Sequence, residues 1–374
     1  MSDYKVYELA EICSRLSSGK GIPASRISIE GDFPVYGGNG LRGYTNQANF
    51  SGDCAIIGRQ GAFCGNVRYF KGEAYMTEHA VVVCATPEHN TRYLSYLLST
   101  MNLGRLSGQS AQPGLSVKTL AKQEVKMPSL EIQNRVASIL ALLDEKIELN
   151  NAINENLEQQ AQAFFQELFV DNADPEWAIG TISDLGAVVG GSTPSKAKPE
   201  YYTETGIAWI TPKDLSINKS KFISHGENDI TELGLKNSSA TIMPEGTVLF
   251  SSRAPIGYIA VAAGEVTTNQ GFKSIVPKPE IGTAFVYYFL KHNLPIIEGM
   301  ASGSTFKEVS GSTMKGVPAV IPDTDTIARF NDFCSPIFAQ QRILEEQNQS
   351  LTALRDNLLP KLMSGELDVS AVQL

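Results

Sequence analysis

No continuous apolar run in this sequence is long enough to span a membrane. Its start, MSDYKVYELAE, lacks the basic region and apolar core of a secretory signal. A cytoplasmic protein is therefore expected. Cysteine is sparse: Cys13, Cys54, Cys64, Cys84 and Cys334 form an odd, widely spaced set with no C-x-x-C. Such a set reads as reduced thiols rather than a disulfide framework or zinc site. His79, His89, His225 and His292 show no ligand spacing either, so no metal site is expected. Enzymatic signatures are missing as well. There is no G-x-x-x-x-G-K-[ST], no G-x-S-x-G elbow, no H-E-x-x-H and no EF-hand loop. The Asn-Pro-Pro-aromatic or Asp-Pro-Pro-aromatic tetrapeptide of an adenine or cytosine amino-methyltransferase is also lacking. No catalytic residue is assigned, and the chain is expected not to be an enzyme.

Excess positive charge is lacking too: the 374 residues carry a net charge of −9, which at first argues against a nucleic-acid partner. The distribution changes that reading. Residues 1–129 carry +3, 130–175 carry −7, 176–322 carry −1 and 323–374 carry −4. The acidity sits in the second and fourth segments, so the total does not exclude DNA.

What the sequence does contain is a duplication. "GDCAIIGRQGAFCGNVRYF" from Gly52 parallels "GTVLFSSRAPIGYIAVAAG" from Gly246. "TRYLSYLLST" parallels "TAFVYYFLKH", "SGQSAQPGLSVKTL" parallels "SGSTFKEVSGSTM", and "VKMPSLEIQNRV" parallels "AVIPDTDTIARF". The openings "VYELAEICSRLSSG" and "IGTISDLGAVVGGS" correspond as well. From Gly52/Gly246 to Pro128/Pro322 the offset is 194 residues at both ends, which implies two homologous domains in tandem.

Each copy ends in a helical pattern. Ile132, Val136, Ile139, Leu143, Ile147, Leu157, Phe164 and Leu168 recur at spacings of three and four or their sums, and residues 130–168 contain no Gly or Pro. The second copy gives Ile337, Leu344, Leu351, Leu354, Leu358 and Leu362, with Pro336 expected to interrupt or kink its first turns. Asn150, Asn151, Asn154 and Asn156 suggest a polar seam or a register-fixing position. The simplest way to bury both stripes is to pack them on each other as an antiparallel coiled coil, with the two domains related by a pseudo-twofold axis. Each helix folding back on its own domain is the alternative. The expected fold is therefore mixed α/β (α+β). Its segments are a first globular domain (1–129), a first helical region (130–175), a second globular domain (176–322) and a second helical region (323–374).

Gly38-Asn39-Gly40-Leu41-Arg42-Gly43 matches G-x-G-x-x-G, the spacing that cradles a dinucleotide. The match lacks its context. No helical pattern comes after it, and the nearest later acid, Asp53, comes too early and lies in a turn. A tight loop with Asn39 and Arg42 turned toward nucleic acid fits better. A stand-alone enzyme binding a nucleotide or S-adenosylmethionine on this loop remains the alternative, and a pure protein-interaction scaffold is a third possibility. Other residues fit nucleic-acid contact by type. Arg59-Gln60 and Ser252-Arg253 lie at equivalent strand ends, where arginine suits guanine edges or phosphate and glutamine suits adenine. Asn269, Gln270 and Lys273 lie in the following turn, and Ser304, Thr305 and Lys307 form a phosphate-positioning set. Lys196 and Lys198, in the loop-like "GGSTPSKAKPEYY", together with Lys20 and Lys213, complete the candidates.

The chain resembles the specificity subunits of type I restriction–modification enzymes over essentially its whole length. The first half carries this in "FPVYGGNGLRGYTNQANFSGDCAIIGRQGAFCGNV". The second half carries it in "GGSTPSKAKPEYY", "GIAWITPKDLS", "SSRAPIGYIAV", "TNQGFKSIVP" and "SGSTFKEVSG". The resemblance implies two target-recognition domains, each reading half of a split double-stranded DNA sequence, with the coiled coil setting the spacer. It implies that the helices dock two methyltransferase (modification) subunits, and through them the restriction (motor-nuclease) subunits. S-adenosylmethionine, ATP and Mg would then belong to those partners and not to this chain. The two domains differ strongly in sequence, so the implied target is asymmetric.

Overall fold

The computed structural model describes residues 4–107, 114–303, 307–370 and 372. It forms two compact units, residues 1–147 with 350–374, and residues 148–349.

The first unit contains β1 (Lys5–Glu8), β2 (Cys13–Ser18), β3 (Phe33–Gly37), β4 (Gly40–Thr45), β5 (Phe50–Gly58), β6 (Val67–Met76) and β7 (Ala80–Ala85). The helix α1 (Thr91–Thr100), β8 (Glu124–Met127) and the start of the long helix α2 (Leu130–Gln166) come next. Six strands form one sheet in the order β2-β7-β5-β6-β3-β4. All its neighbours are antiparallel except β3 and β6. Successive side chains along a strand face opposite sides. Ala55, Ile57, Val81 and Val83 accordingly pack with Tyr93, Leu94 and Leu98 of α1, while Cys54, Ile56 and Val82 join Ala74 and Met76 on the other face. Burial on both faces is why β7 reads AVVVCA, with no polar alternation. Each fully buried Leu or Ile contributes about 1.5–3 kcal/mol. Asn90 starts α1 by accepting the Tyr93 N–H at 2.7 Å.

The second unit repeats this frame with β9 (Ala178–Thr181), β10 (Gly186–Gly190), β11 (Tyr202–Thr203), β12 (Ile207–Ile210), β13 (Phe222–Ile223), β14 (Asn228–Ile230), β15 (Val248–Ser252) and β16 (Ile256–Ala262). It continues through β17 (Thr267–Thr268), β18 (Lys273–Pro277), α3 (Thr283–His292), β19 (Pro318–Ile321) and the start of the long helix α4 (Thr324–Ser364), whose residues from 350 on belong to the first unit. The order β10-β18-β15-β16 matches β2-β7-β5-β6, and β13 closes the edge parallel to β16. A second sheet, β11-β14-β12-β17, has no counterpart among the described residues of the first unit. Val248, Phe250 and Ile275 face Phe285, Tyr288 and Phe289 of α3, whereas Leu249, Ala260 and Phe272 face Ala208 and Ile210 of the added sheet. Even the small caps recur: Ser116 accepts the Thr119 N–H at 3.0 Å and Ser310 accepts that of Thr313 at 3.0 Å.

Within the second unit Asn150 is fully buried, and its Nδ2 donates to Asn348 Oδ1 at 2.9 Å. Asn348 Nδ2 donates to Asn151 Oδ1 at 2.8 Å, and Gln341 Nε2 donates to the Asn154 carbonyl at 3.2 Å. The Phe164 and Phe333 rings lie 4.5 Å apart. Positions rise on α2 as they fall on α4, so these segments run antiparallel around a polar seam. In the first unit Asp144 meets Arg355 at 3.0 Å, and Arg135 reaches the Val369 carbonyl at 3.2 Å, in the same sense. Of the expected stripe, Val136, Leu168, Ile337, Leu344 and Leu362 are buried. Ile132, Ile139, Leu143, Ile147, Leu157, Phe164, Leu351 and Leu358 are half-buried.

Two expectations about α4 are corrected. Leu354 is exposed at 48%, because Arg355 takes the inward position between Leu351 and Leu358 to reach Asp144. Pro336 does not interrupt the helix, which runs unbroken from Thr324 to Ser364. Pro336 is exposed, and so is Asp332, whose carbonyl loses its helical donor there.

A charged node is buried where α3 meets the long helices in the second unit. Lys291 Nζ donates to Glu158 Oε1 at 2.5 Å and the Tyr288 hydroxyl donates to Oε2 at 2.8 Å. Lys221 pairs with Glu158 and donates to Gln341 Oε1 at 2.6 Å. Burial alone pushes the Glu158 carboxyl pKa up, but Lys221 and Lys291 outweigh it and hold the pKa at about 2.

Candidate nucleic-acid interface

In the first unit the G-x-G-x-x-G segment is a β-hairpin. β3 and β4 pair from Phe33/Thr45 to Gly37/Gly40, leaving Gly38-Asn39 as the tip. The next element is the strand β5, so the loop offers no helix N-terminus to a pyrophosphate. The glycines answer to packing. Gly40 has φ +97°. A Cβ on Gly38 would lie 3.0 Å from the His79 carbonyl oxygen and 3.4 Å from the Arg59 nitrogen. The tip is thus seated on the strand end from which Arg59 emerges. The Arg59 N–H donates to the His79 carbonyl at 3.0 Å, its carbonyl accepts from Leu115 N–H at 2.8 Å, and Nη1 donates to the Ser18 hydroxyl at 3.4 Å. Asn39, Arg42 and Gln60 are exposed, as is Lys20. Arg68 is one that linear spacing misses. It emerges from β6, and its guanidinium lies 2.9 Å from where a Gly40 Cβ would stand.

In the second unit a cleft of about 490 Å³ opens at the equivalent strand end. It gathers Lys196, Lys213, Arg253, Asn269 and Gln270 from four separate stretches of sequence. The local structure holds each one. Thr211 and Asp214 form a capping box, with Asp214 Oδ2 accepting the Thr211 N–H at 2.7 Å and its hydroxyl at 2.6 Å. That box starts the short helix on which Lys213 stands exposed. Asp214 Oδ1 accepts from Glu227 N–H at 2.8 Å, and Glu227 in turn binds Lys213 Nζ at 2.5 Å. The hydrogen bond to Glu227 raises the Lys213 pKa. Asn269 Oδ1 accepts the Gly271 N–H at 2.8 Å, closing its own turn. The Thr193 hydroxyl donates to Gln270, and the Trp209 indole donates to the Ser192 carbonyl at 3.0 Å.

Four of the remaining sequence candidates fall elsewhere. Ser252 is fully buried, and its hydroxyl donates to the Gly271 carbonyl at 3.1 Å. It props the strand end and presents nothing to a ligand. Lys198 is exposed and paired with Glu200 at 3.6 Å, away from the cleft lining. Lys273 is largely buried behind the rim, its Nζ 3.4 Å from Ser252 Oγ and 3.3 Å from the Gln270 carbonyl. Lys307 is exposed. Ser304 and Thr305 lie outside the described residues. Trp209, Thr193, Thr211 and Asn228 line the cleft without having been singled out by sequence. Among the described residues no group of three or more His, Cys, Asp or Glu could hold a metal ion. No described helix is long and apolar enough to cross a membrane.

The family model of the type I restriction modification DNA specificity domain matches residues 1–159 and 175–353. The chain is 39% identical over 191 residues to the type I restriction enzyme MjaIX specificity subunit of Methanocaldococcus jannaschii, covering 49% of this chain and 44% of that one. It is 45% identical over 123 residues to the type I restriction enzyme EcoprrI specificity subunit of Escherichia coli, covering 33% of this chain and 30% of that one. The chain thus spans less than half the length of these two relatives. A crystal structure of a type I restriction–modification system S subunit from M. genitalium shares the fold, with a TM-score of 0.67 and 17% identity over 96% of each chain.

Proposed function

Because the chain belongs to the type I restriction modification DNA specificity domain family, we propose that it is the DNA-recognition subunit of a type I restriction–modification complex. It reads an asymmetric, bipartite duplex target in the cytoplasm and performs no catalysis itself. The observation that carries this reading is the repeat of one frame with an arginine at the same strand end, Arg59 and Arg253, each beside a different set of polar side chains. Arginine at such an edge can address guanine bidentately or a phosphate.

The long helices support the partner role. In the second unit Leu149, Ile153 and Ile343 are exposed large apolar residues on α2 and α4. A surface of this kind suits the two modification subunits, which would carry S-adenosylmethionine and bring in the motor-nuclease subunits with their ATP and Mg.

The test uses the chain with its modification subunit. The complex should protect one bipartite sequence from methylation-sensitive cleavage. Its affinity should fall linearly in log–log terms with salt, by about a thousandfold between 50 and 200 mM if about six phosphates are contacted. Equal binding to all duplexes would sink the reading.

A further inference from the structure

In the second unit a carboxylate stands between Arg253, which lines the cleft, and Lys273, which lies behind its rim. Glu308 Oε2 lies 3.4 Å from Arg253 Nη1, and Glu308 Oε1 lies 3.4 Å from Lys273 Nζ. The backbone keeps it there. Glu308 N–H donates to the Ser302 carbonyl at 2.9 Å, Ser302 N–H returns to the Glu308 carbonyl at 3.1 Å, and Val309 N–H donates to the Ser252 carbonyl at 3.0 Å. Both ion pairs are longer than the about 2.7–2.9 Å of a close charge-assisted bond, and the Arg253 and Glu308 side chains are each 37% exposed. Pairs of this kind add little to folding. A carboxylate here also opposes simple phosphate binding, so neither stability nor general DNA affinity explains it.

The first unit provides the contrast. At the 194-residue offset Glu308 corresponds to Gly114, which bridges Gln60. Arg59 there meets the Ser18 hydroxyl at 3.4 Å. The frame therefore does not require an acid at this point.

We propose that Glu308 is a specificity-determining positioning residue, which holds Arg253 so that its remaining guanidinium donors serve the cleft and which cancels one of two charges that would favour any phosphate. This rests on the cleft being the DNA-contacting surface. Arg253 makes the base contact, and Glu308 acts through it.

The experiment selects duplexes from a random-sequence DNA pool using the chain with its modification subunit, in parallel for wild type, E308Q, E308D and R253A. Each selected duplex and a scrambled one are then titrated with salt. E308Q is expected to lose about tenfold in preference at the base positions that R253A also weakens, and to keep its preference at the other half-site. It should bind the scrambled duplex more tightly, with a log–log salt slope steeper by about 0.9, while E308D retains most of the preference. An E308Q profile identical to wild type, or losses spread over both half-sites, overturns the role of Glu308 and leaves the recognition reading standing. A wild-type complex with no preferred sequence overturns both.

Discussion

Tyr96 and Tyr288 occupy matching places on α1 and α3, and each donates its hydroxyl to a carboxylate on α2, but the two units build on that contact differently. In the first unit the acceptor is Asp144, whose cation is Arg355, both about a quarter exposed. In the second it is Glu158, which pairs with the buried Lys221 and the half-buried Lys291. One frame thus carries a half-buried, solvent-reached ion pair in one copy and a more deeply buried one, Glu158 with Lys221, in the other. An exposed pair is worth about 0–1 kcal/mol, whereas stripping one partner from a buried pair costs about 3–5 kcal/mol.

The largest expected effect breaks this contrast directly. Glu158→Gln should destabilise the second unit by about 3–5 kcal/mol, and Asp144→Asn the first by about 1 kcal/mol. Both tryptophans, Trp177 and Trp209, lie in the second unit, so tryptophan fluorescence in urea reports it selectively. Glu158→Gln should move that transition and Asp144→Asn should leave it in place. Similar shifts for the two variants would end the distinction. The pH dependence has a defined sign. The Glu158 pKa is depressed from the ordinary 4.5 to about 2, so its contribution is complete above pH 4.5 and disappears as pH falls toward 2. That contribution is roughly 3 kcal/mol at 1.36 kcal/mol per pKa unit. Glu158→Gln should flatten wild-type acid sensitivity across that window.

A second difference lies at the strand ends. Arg253→Ala and Arg59→Ala should each cost about 1–3 kcal/mol of base discrimination, and at different half-sites. Methylome mapping of cells carrying each variant separates the two, because each should relax one half of the methylated motif. Loss in the same half from both variants would mean that the duplicated frame does not divide the reading.

The frame was legible because it is written in linear order. The strand-turn-strand repeats, the helices that follow them and the apolar stripes of α2 and α4 all stem from local spacing and from the 194-residue offset. Most of the cleft was not. Trp209, Thr193, Thr211 and Asn228 come from an added sheet and its loops, and their convergence on Arg253 depends on strand order rather than periodicity. Ser252 shows the same limit from the other side, since VLFSS is buried at every position and gives no alternation to tell wall from surface. At Leu354 the apolar rule put a leucine inside, one residue from the arginine whose ion pair takes that place. The G-x-G-x-x-G motif takes its meaning from the next element in the chain, and here a second strand stands where a nucleotide site needs a helix.

The smallest effect tests how each unit holds its exposed cations. Arg42 stands on the hairpin with its side chain against Gly37, and no ion pair to it is formed among the described residues. Lys213, on the cleft rim, is bound to Glu227 at 2.5 Å. If both meet phosphate, Arg42→Ala removes a whole contact and should reduce the log–log salt slope by about 0.9 on every duplex alike. Lys213→Ala frees Glu227 near the backbone it was shielding, so it should weaken binding more than its lost contact accounts for, while changing the slope by a similar amount. Salt titrations on a selected and a scrambled duplex distinguish these outcomes. A sequence-dependent change for Arg42→Ala would show that the hairpin reads bases, giving the first unit a second reader beside Arg59.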